Sequence, residues 1–199
     1  MTSIRRKSLA GAPALAALAC AAVGMAFFAS AATPALAEMS VEVGGAPMFP
    51  SRTIAENMAA SKDHVNLVTA LKASDLADIL QGPGPFTVFA PVNKAFEKLP
   101  KGILESLLKP ENRAELTALL SYHVLAGKYS AADLIAAIKT GGGKAVFKTL
   151  QGEEVSLIQD GRKIEIVDAK GGKSAVTISD VNQKNGVIHV VDTVLLPGG

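Results

Sequence analysis

Three histidines, His64, His123 and His189, are the side chains of this sequence best suited to acid–base chemistry or metal binding. His189 lies within the apolar stretch NGVIHVVDTVLLP, and His123 also has mostly apolar neighbours. A zinc site needs several ligands close together, and no two of these histidines stand at a ligand spacing such as that of H-E-x-x-H. The sequence therefore predicts no metal site.

A buried imidazole must satisfy its ring nitrogens, because each unpaired nitrogen costs about 1–3 kcal/mol. We therefore interpret His123 and His189 as structural residues that bond backbone carbonyls or polar side chains, and we expect His189 to fix a central strand. The alternative is a catalytic base, which needs reaction partners that the sequence does not reveal. His64 follows Asp63 at the start of a predicted helix, and we expect it to face solvent.

Other catalytic motifs are absent or incomplete. Gly172-Lys173-Ser174 ends like a phosphate-binding loop, but Val167 stands where the loop needs its first glycine. The nucleophile motif G-x-S-x-G does not occur. The single cysteine, Cys20, precedes the predicted mature chain. We therefore predict a protein that is not an enzyme and that needs no cofactor.

Residues 1–37 have the composition of a secretory signal peptide. A basic start, MTSIRRK, precedes an uncharged, alanine-rich stretch that ends in Ala35-Leu36-Ala37. We predict cleavage after Ala37 and a secreted or periplasmic protein with no stable membrane span. Three alternatives stay open: an uncleaved anchor over residues 9–32, lipidation at Cys20, and twin-arginine export through Arg5-Arg6.

The predicted mature chain is nearly neutral. Without the three basic residues of its start, 17 Lys and Arg remain against 18 Asp and Glu. No polybasic stretch is left for nucleic acid or anionic lipid, so we predict no nucleic-acid partner. The 162 residues after the signal contain no cysteine, and one hydrophobic core must therefore stabilise a single domain.

Helical signals dominate the first half of this domain. Residues 38–50 are rich in Gly and Pro without periodicity, which indicates an N-terminal arm or linker. Ser61 and Asn93 are predicted helix N-caps. Ser130 and Asp133 form a predicted capping box for a helix that ends at Gly141.

Strand signals follow Gly143. Asp160-Gly161 and Asn185-Gly186 are predicted turns, and the alternation in RKIEIV is typical of a half-solvated antiparallel strand. After Asn185-Gly186, both faces of the chain are mostly apolar, which predicts a strand in the middle of the fold, covered on both sides. Helices followed by strands indicate an α+β fold.

Three segments together resemble the characteristic motifs of the fasciclin domain. They are FTVFAPVNKAFEKLP at 86–100, LLSYHVLAGKYSAADL at 119–134 and NGVIHVVDTVLLP at 185–197. The resemblance covers nearly all of residues 51–197, which we take as the domain. In addition, VGGAPMFPSRTIAEN at 43–57 resembles the start of small secreted bacterial fasciclin proteins. It implies a wedge-shaped β-sandwich with helices packed on it. One departure is Val92, where the family usually has a small polar residue.

The resemblance also implies adhesion or extracellular binding without enzymatic activity. In animal relatives, adhesion has been attributed to a Tyr-His motif and an Asp-Ile dipeptide, which correspond here to Tyr122-His123 and Asp180-Val181. The alternative interpretation is structural: Tyr122-His123 would anchor the core, and Asp180 would begin a turn towards Asn185.

Two functions follow from the resemblance. The first is an adhesion module that contacts extracellular matrix, envelope or a cell-surface component. The second is a carrier of an apolar small molecule such as a carotenoid, since some secreted fasciclin proteins bind carotenoids. For that role we expect contributions from Met48, Phe49 and the apolar helix 134–138, although the helix could equally pack onto the sandwich.

Overall fold

The computed structural model describes residues 40–74 and 76–198. The predicted signal peptide, with Cys20 and the cleavage site after Ala37, lies outside the described residues. The helices are α1 Ile54–Ala60, α2 Val65–Ala73, α3 Leu76–Gln81, α4 Asn93–Glu97, α5 Ile103–Leu107, α6 Arg113–Tyr122 and α7 Ala131–Thr140, with 3₁₀ turns at Lys62–His64 and Pro110–Asn112. The strands are β1 Val41–Val43, β2 Ala46–Met48, β3 Phe86–Pro91, β4 Val124–Ala126, β5 Lys144–Lys148, β6 Glu154–Asp160, β7 Lys163–Val167, β8 Lys173–Gln183 and β9 Gly186–Val191.

Seven strands form one sheet in the order β4-β3-β9-β8-β7-β6-β5. β3 and β9 run parallel, and the other neighbouring strands are antiparallel. The sheet curls until its two edges meet, where Leu125 bridges to Thr149 and the Leu150 amide donates to the Val124 carbonyl at 2.8 Å. The two layers of the predicted sandwich are therefore parts of a single, nearly closed sheet.

Two hydrophobic clusters lie on opposite faces of the central strands. Val88 and Ala90 of β3 face the cluster formed with α1 to α6, whereas Phe89 faces the cluster inside the curled sheet. In β9, Ile188 belongs to the first cluster and Val191 to the second. Every residue of β9 is buried, which confirms the prediction of a central strand covered on both sides. The α+β fold class is likewise confirmed.

The segment predicted as an irregular arm contains regular structure. β1 and β2 form a hairpin in which Val41 pairs with Met48. Val43 and Met48 are buried in the first cluster, so the expectation of an aperiodic segment is wrong for residues 41–48. Two adjacent glycines with positive φ, Gly44 and Gly45, supply the tight turn that joins these three-residue strands. The domain limits given above stay a prediction.

The helix ends follow the predicted signals only in part. The capping box of Ser130 and Asp133 is confirmed at α7. Asn93 is the first residue of α4 and not its cap; its side chain accepts from the Asn66 amide and donates to the Lys62 carbonyl. Ser61 is also wrong as a side-chain cap, since its hydroxyl bonds His64 instead.

Both predicted turns are displaced by one residue, the first towards the C-terminus and the second towards the N-terminus. Asp160 pairs with Lys163, so the first loop is Gly161-Arg162, with Gly161 at φ +58°. Gln183 pairs with Gly186, so the second loop is residues 184–185. Gly186 is needed in the strand itself, because a Cβ atom there would lie 2.0 Å from the Phe86 carbonyl oxygen.

Among the described residues, none of the helices has both the length and the apolar character required to cross a bilayer.

Candidate functional site

The predicted adhesion residue His123 is enclosed at the junction of α6 and β4, with 2% of its surface exposed. Its Nδ1 donates to the Leu119 carbonyl oxygen at 2.8 Å, and its Nε2 accepts from the Leu195 amide at 2.9 Å. Because an amide N–H can only donate, this pattern assigns a neutral ring with its proton on Nδ1. Burial lowers the pKa of His123 to about 4, against the opposing effects of the Leu119 carbonyl and the Asp168 carboxylate.

Tyr122 precedes His123 and belongs to the cluster inside the curled sheet. Its hydroxyl donates to the Glu154 carbonyl and accepts from the Ala169 amide, both at 3.0 Å. Burial raises the pKa of Tyr122, because the phenolate would lose its solvation. The Tyr-His pair thus joins α6 to the start of β6, to the loop after β7 and to the segment after β9.

His189 occupies the centre of β9 and is fully buried. Its Nε2 donates to the Tyr129 carbonyl oxygen at 2.9 Å, and its Nδ1 lies 3.4 Å from the Asp180 amide, which donates to it. Its neutral tautomer is therefore the opposite of that in His123. Burial lowers the pKa of His189, although the Tyr129 carbonyl and the Asp180 carboxylate act in the other direction.

Asp180 and Val181 lie inside β8, at a bulge where the pairing with β9 shifts. Asp180 has φ +58°, and its carboxylate accepts from the Ala131 amide at 2.7 Å, at the start of α7. The expectation that Asp180 begins a turn is therefore wrong: it turns a strand at a bulge and ties that strand to a helix. Val181 is completely buried in the first cluster.

The structure brings Asp180 and His189 into contact, and β3 connects them to the other motif. The ring of Phe89 lies 6.0 Å from that of His189, while the Phe89 amide donates to the His123 carbonyl at 2.9 Å. The four adhesion-motif residues are thus interior or half-buried groups engaged with the protein itself. A partner at the surface would meet the segments that they position.

The prediction that His64 faces solvent is wrong. Its side chain is completely buried, and its Nδ1 lies 2.8 Å from the Ser61 hydroxyl. Its Nε2 has no hydrogen-bond partner among the described residues. Burial lowers the pKa of His64, against the opposing effect of the Asp63 carboxylate. Sequence position at a helix start could not reveal that the β1–β2 hairpin covers this turn, as shown by the Lys62 amide that donates to the Gly44 carbonyl.

Asn185 is a structural residue that its turn-like sequence context conceals. Its Oδ1 accepts from the Ile54 amide at 3.0 Å, and its Nδ2 donates to the carbonyls of Leu80 and Gly82 at 2.6 and 2.9 Å. One side chain therefore provides hydrogen-bond partners for backbone groups at the beginning of α1 and at the end of α3. The only available signal was a polar residue next to an apolar strand, which equally suits a turn.

The His189→Ala variant is expected to lower the free energy of unfolding by about 2–4 kcal/mol, because it opens a cavity and leaves two part-buried backbone groups, the Tyr129 carbonyl and the Asp180 amide, without their partner. Thermal and urea denaturation would measure the loss. Binding by the protein that remains folded should persist. Loss of binding with unchanged stability would show that His189 acts in recognition and not as an internal anchor.

An apolar cleft of about 380 Å³ opens beside the Tyr-His pair. It lies between α5, α6 and the segment after β9, and its apolar wall includes Leu99, Ile103, Leu107, Ala118, Leu119 and Leu196. Gln151, Glu153 and Lys170 belong to its polar margin. Within the part of the chain that the structure describes, no group of three or more His, Cys, Asp or Glu side chains could hold a metal ion.

Comparison with known proteins agrees with this architecture. The family model described as Fasciclin domain matches residues 62–197. Protein sll1483 of Synechocystis sp. is 41% identical over 172 residues, which cover 83% of this chain and 87% of that protein. Human periostin is 35% identical over 145 residues, covering 73% of this chain and 16% of periostin.

A solved structure of a FAS1 domain pair from the insect cell adhesion molecule Fasciclin I is also similar. It has a TM-score of 0.67 and 21% sequence identity, and the match covers 74% of this chain and 52% of that chain. At this identity the likeness shows the fold alone, whereas the match to the family model and the identity to the Synechocystis relative also show the family. The chain belongs to the fasciclin domain family.

Proposed function

We propose that this protein is a secreted or periplasmic, non-catalytic binding module of the adhesion type. The observation that carries the proposal is the environment of the three imidazoles, each of which is enclosed and directed at the protein itself. General acid–base catalysis needs such a group within reach of a substrate. Membership of the fasciclin domain family, whose motifs imply adhesion or extracellular binding, supports the same function.

The four motif residues contribute to recognition from beneath the surface in this proposal. Tyr122 and His123 hold four chain segments together, and Asp180 sets the position of α7 through the Ala131 amide. The partner is a component of extracellular matrix, envelope or cell surface. Because Tyr122, His123 and Val181 are at most 2% exposed, substitutions there should alter binding through the shape of the surface.

Sedimentation with envelope fragments tests the proposal. Labelled protein, residues 38–199, would be mixed with envelope fragments of the source cells, and the bound fraction measured against protein concentration. We expect saturable binding that unlabelled protein displaces. Unsaturable adsorption, or turnover of ester, glycoside or peptide model substrates by the pure protein, would contradict it.

A second candidate function, favoured by the apolar cleft, is the carriage of an apolar small molecule such as a carotenoid. Three of the residues expected from the sequence to contact such a ligand belong instead to the core: Met48, Leu134 and Ile138 are at most 1% exposed. A visible absorption band in protein purified from its native source would support carotenoid carriage. Protein that is colourless and yields no apolar compound on solvent extraction would contradict this second candidate.

A further inference from the structure

We propose that the cleft between α5 and α6 binds the aliphatic chain of a small molecule that has an uncharged polar head. This inference rests on the second candidate function and gives it a site and a ligand class. The cleft volume of about 380 Å³ lies within the range of small-molecule sites.

The wall chemistry favours an aliphatic chain. Leucine, isoleucine, proline and alanine side chains make up the apolar wall, and no aromatic ring lines the cleft in the described part of the chain. A planar aromatic ligand would therefore find no stacking partner. Ile103, on α5, lines the cleft and is 41% exposed although it is a large apolar side chain. Covering such surface with an alkyl chain gains roughly 25 cal/mol per Å².

The charges at the margin favour a neutral head. Glu115 and Glu153 line the cleft against a single cation, Lys170. The carboxylate of Glu153 also accepts from the Gly198 amide at 2.7 Å and from the Gln151 amide group at 3.2 Å, so it is fixed in place. An anionic head would meet the two carboxylates, and a cationic head would meet Lys170. An uncharged ester or hydroxyl group meets neither like charge and could bond the Gln151 and Lys170 side chains.

The Tyr-His pair holds this cleft in a preformed shape. His123 bonds the backbone of Leu119, which is a wall residue, and of Leu195, which precedes the wall residue Leu196. Tyr122 bonds the backbones of Glu154 and Ala169, which adjoin the marginal residues Glu153 and Lys170. A site whose walls are fixed before binding loses less conformational entropy when the ligand enters. Tyr122 and His123 are therefore positioning residues for the cleft.

Fluorescence titration with the methyl ester of cis-parinaric acid, an uncharged aliphatic polyene, tests the proposal. We expect saturable enhancement at one probe per chain, and weaker binding of the free acid, which has the same chain. Ile103→Glu should weaken ester binding at least tenfold, since it places a charge in the apolar wall. The matched control is Ile79→Glu, because Ile79 is 46% exposed on α3 outside the cleft. It should change the affinity less than about twofold.

Ala118→Phe provides a second variant that fills the cleft from α6 while retaining an uncharged surface. If Ile103→Glu fails to fold, the tenfold loss is expected from Ala118→Phe. Unsaturable fluorescence, tighter binding of the acid, or equal effects of the variants at positions 103 and 79 would overturn the proposal. So would a concentration-dependent dimer in sedimentation that Ile103→Glu abolishes, since a second copy would then occupy the cleft.

The envelope-binding assay, run with the same Ile103→Glu protein, separates the two functions. Lost probe binding with intact envelope binding supports a cleft that is independent of the adhesive surface. Saturable envelope binding by the wild-type protein without any probe binding would overturn the cleft proposal and leave the adhesion proposal standing.

Discussion

Between pH 7.5 and pH 4.5 the free energy of unfolding is expected to fall by about 2–3 kcal/mol through His123 alone. The pKa of this ring is about 4 in the folded protein, whereas an unperturbed histidine has a pKa of about 6.5. At intermediate pH the unfolded chain therefore binds a proton that the folded chain does not. The resulting stability is fully present above about pH 6.5 and is lost as the pH falls towards about 4. His64 and His189 change stability in the same direction, because burial lowers their pKa values as well.

Urea denaturation at both pH values measures this effect, and His123→Asn is the control. An asparagine amide can still donate to the Leu119 carbonyl but does not titrate. The variant should be less stable at pH 7.5, and its further loss at pH 4.5 should be smaller than that of the wild type by about 2–3 kcal/mol. Equal losses in both proteins would show that His123 does not carry the pH dependence. Since domains have only about 5–15 kcal/mol of stability, acid alone could unfold a marginal one.

Asn185→Ala is expected to reduce the free energy of unfolding by about 3–5 kcal/mol. The substitution leaves one amide and two carbonyls without their partner, in Ile54, Leu80 and Gly82, and each buried orphan costs about 1–3 kcal/mol. Because these groups end two helices, α1 and α3 should lose their fixed orientation against β9. Urea denaturation at neutral pH measures the loss, and hydrogen exchange should show faster exchange in both helices.

Asn182→Ala, three residues earlier, is the matched control. Asn182 is exposed, and within the described part of the chain its side chain donates only to the Asp180 carbonyl, at 3.1 Å. Its removal should change stability by no more than about 0.5 kcal/mol. Similar effects of the two substitutions would show that the three bonds of Asn185 contribute little beyond those of a surface asparagine.

Local patterns predicted the features that are encoded within a few neighbouring residues. The capping box at Ser130 is a contact between residues three positions apart, and the alternation of β9 assigns Ile188 and Val191 to opposite cores. The prediction of a β-sandwich with helices packed on it came from the resemblance to the fasciclin motifs. The closure of one curled sheet could not be predicted this way, because the bridge between Leu125 and Thr149 depends on the accumulated twist of seven strands.

The errors in the candidate site share one physical cause. His64, Asn93 and Asn185 are polar residues at the beginning of a helix or in a turn, where solvent exposure is the common outcome. In each case the side chain instead contacts a segment that is distant in sequence, or such a segment covers it. Asn93, for example, donates to the Lys62 carbonyl, 31 positions away. A buried polar group is tolerated when it bonds other polar groups, and its partners are visible only once the chain has folded.

The parallel pairing of β3 with β9 has a consequence for how the chain reaches its native state. Phe86 of β3 pairs with Gly186 of β9, so this pairing closes a loop of about one hundred residues. The loss of chain entropy on closing that loop precedes the stabilising contacts between the two strands. Such non-local pairing makes folding slow, and apolar β3 stays without its neighbour until the last strand has been synthesised. A nascent chain lacking β9 would leave one edge of β3 and one edge of β8 unpaired, and such edges promote aggregation during biosynthesis.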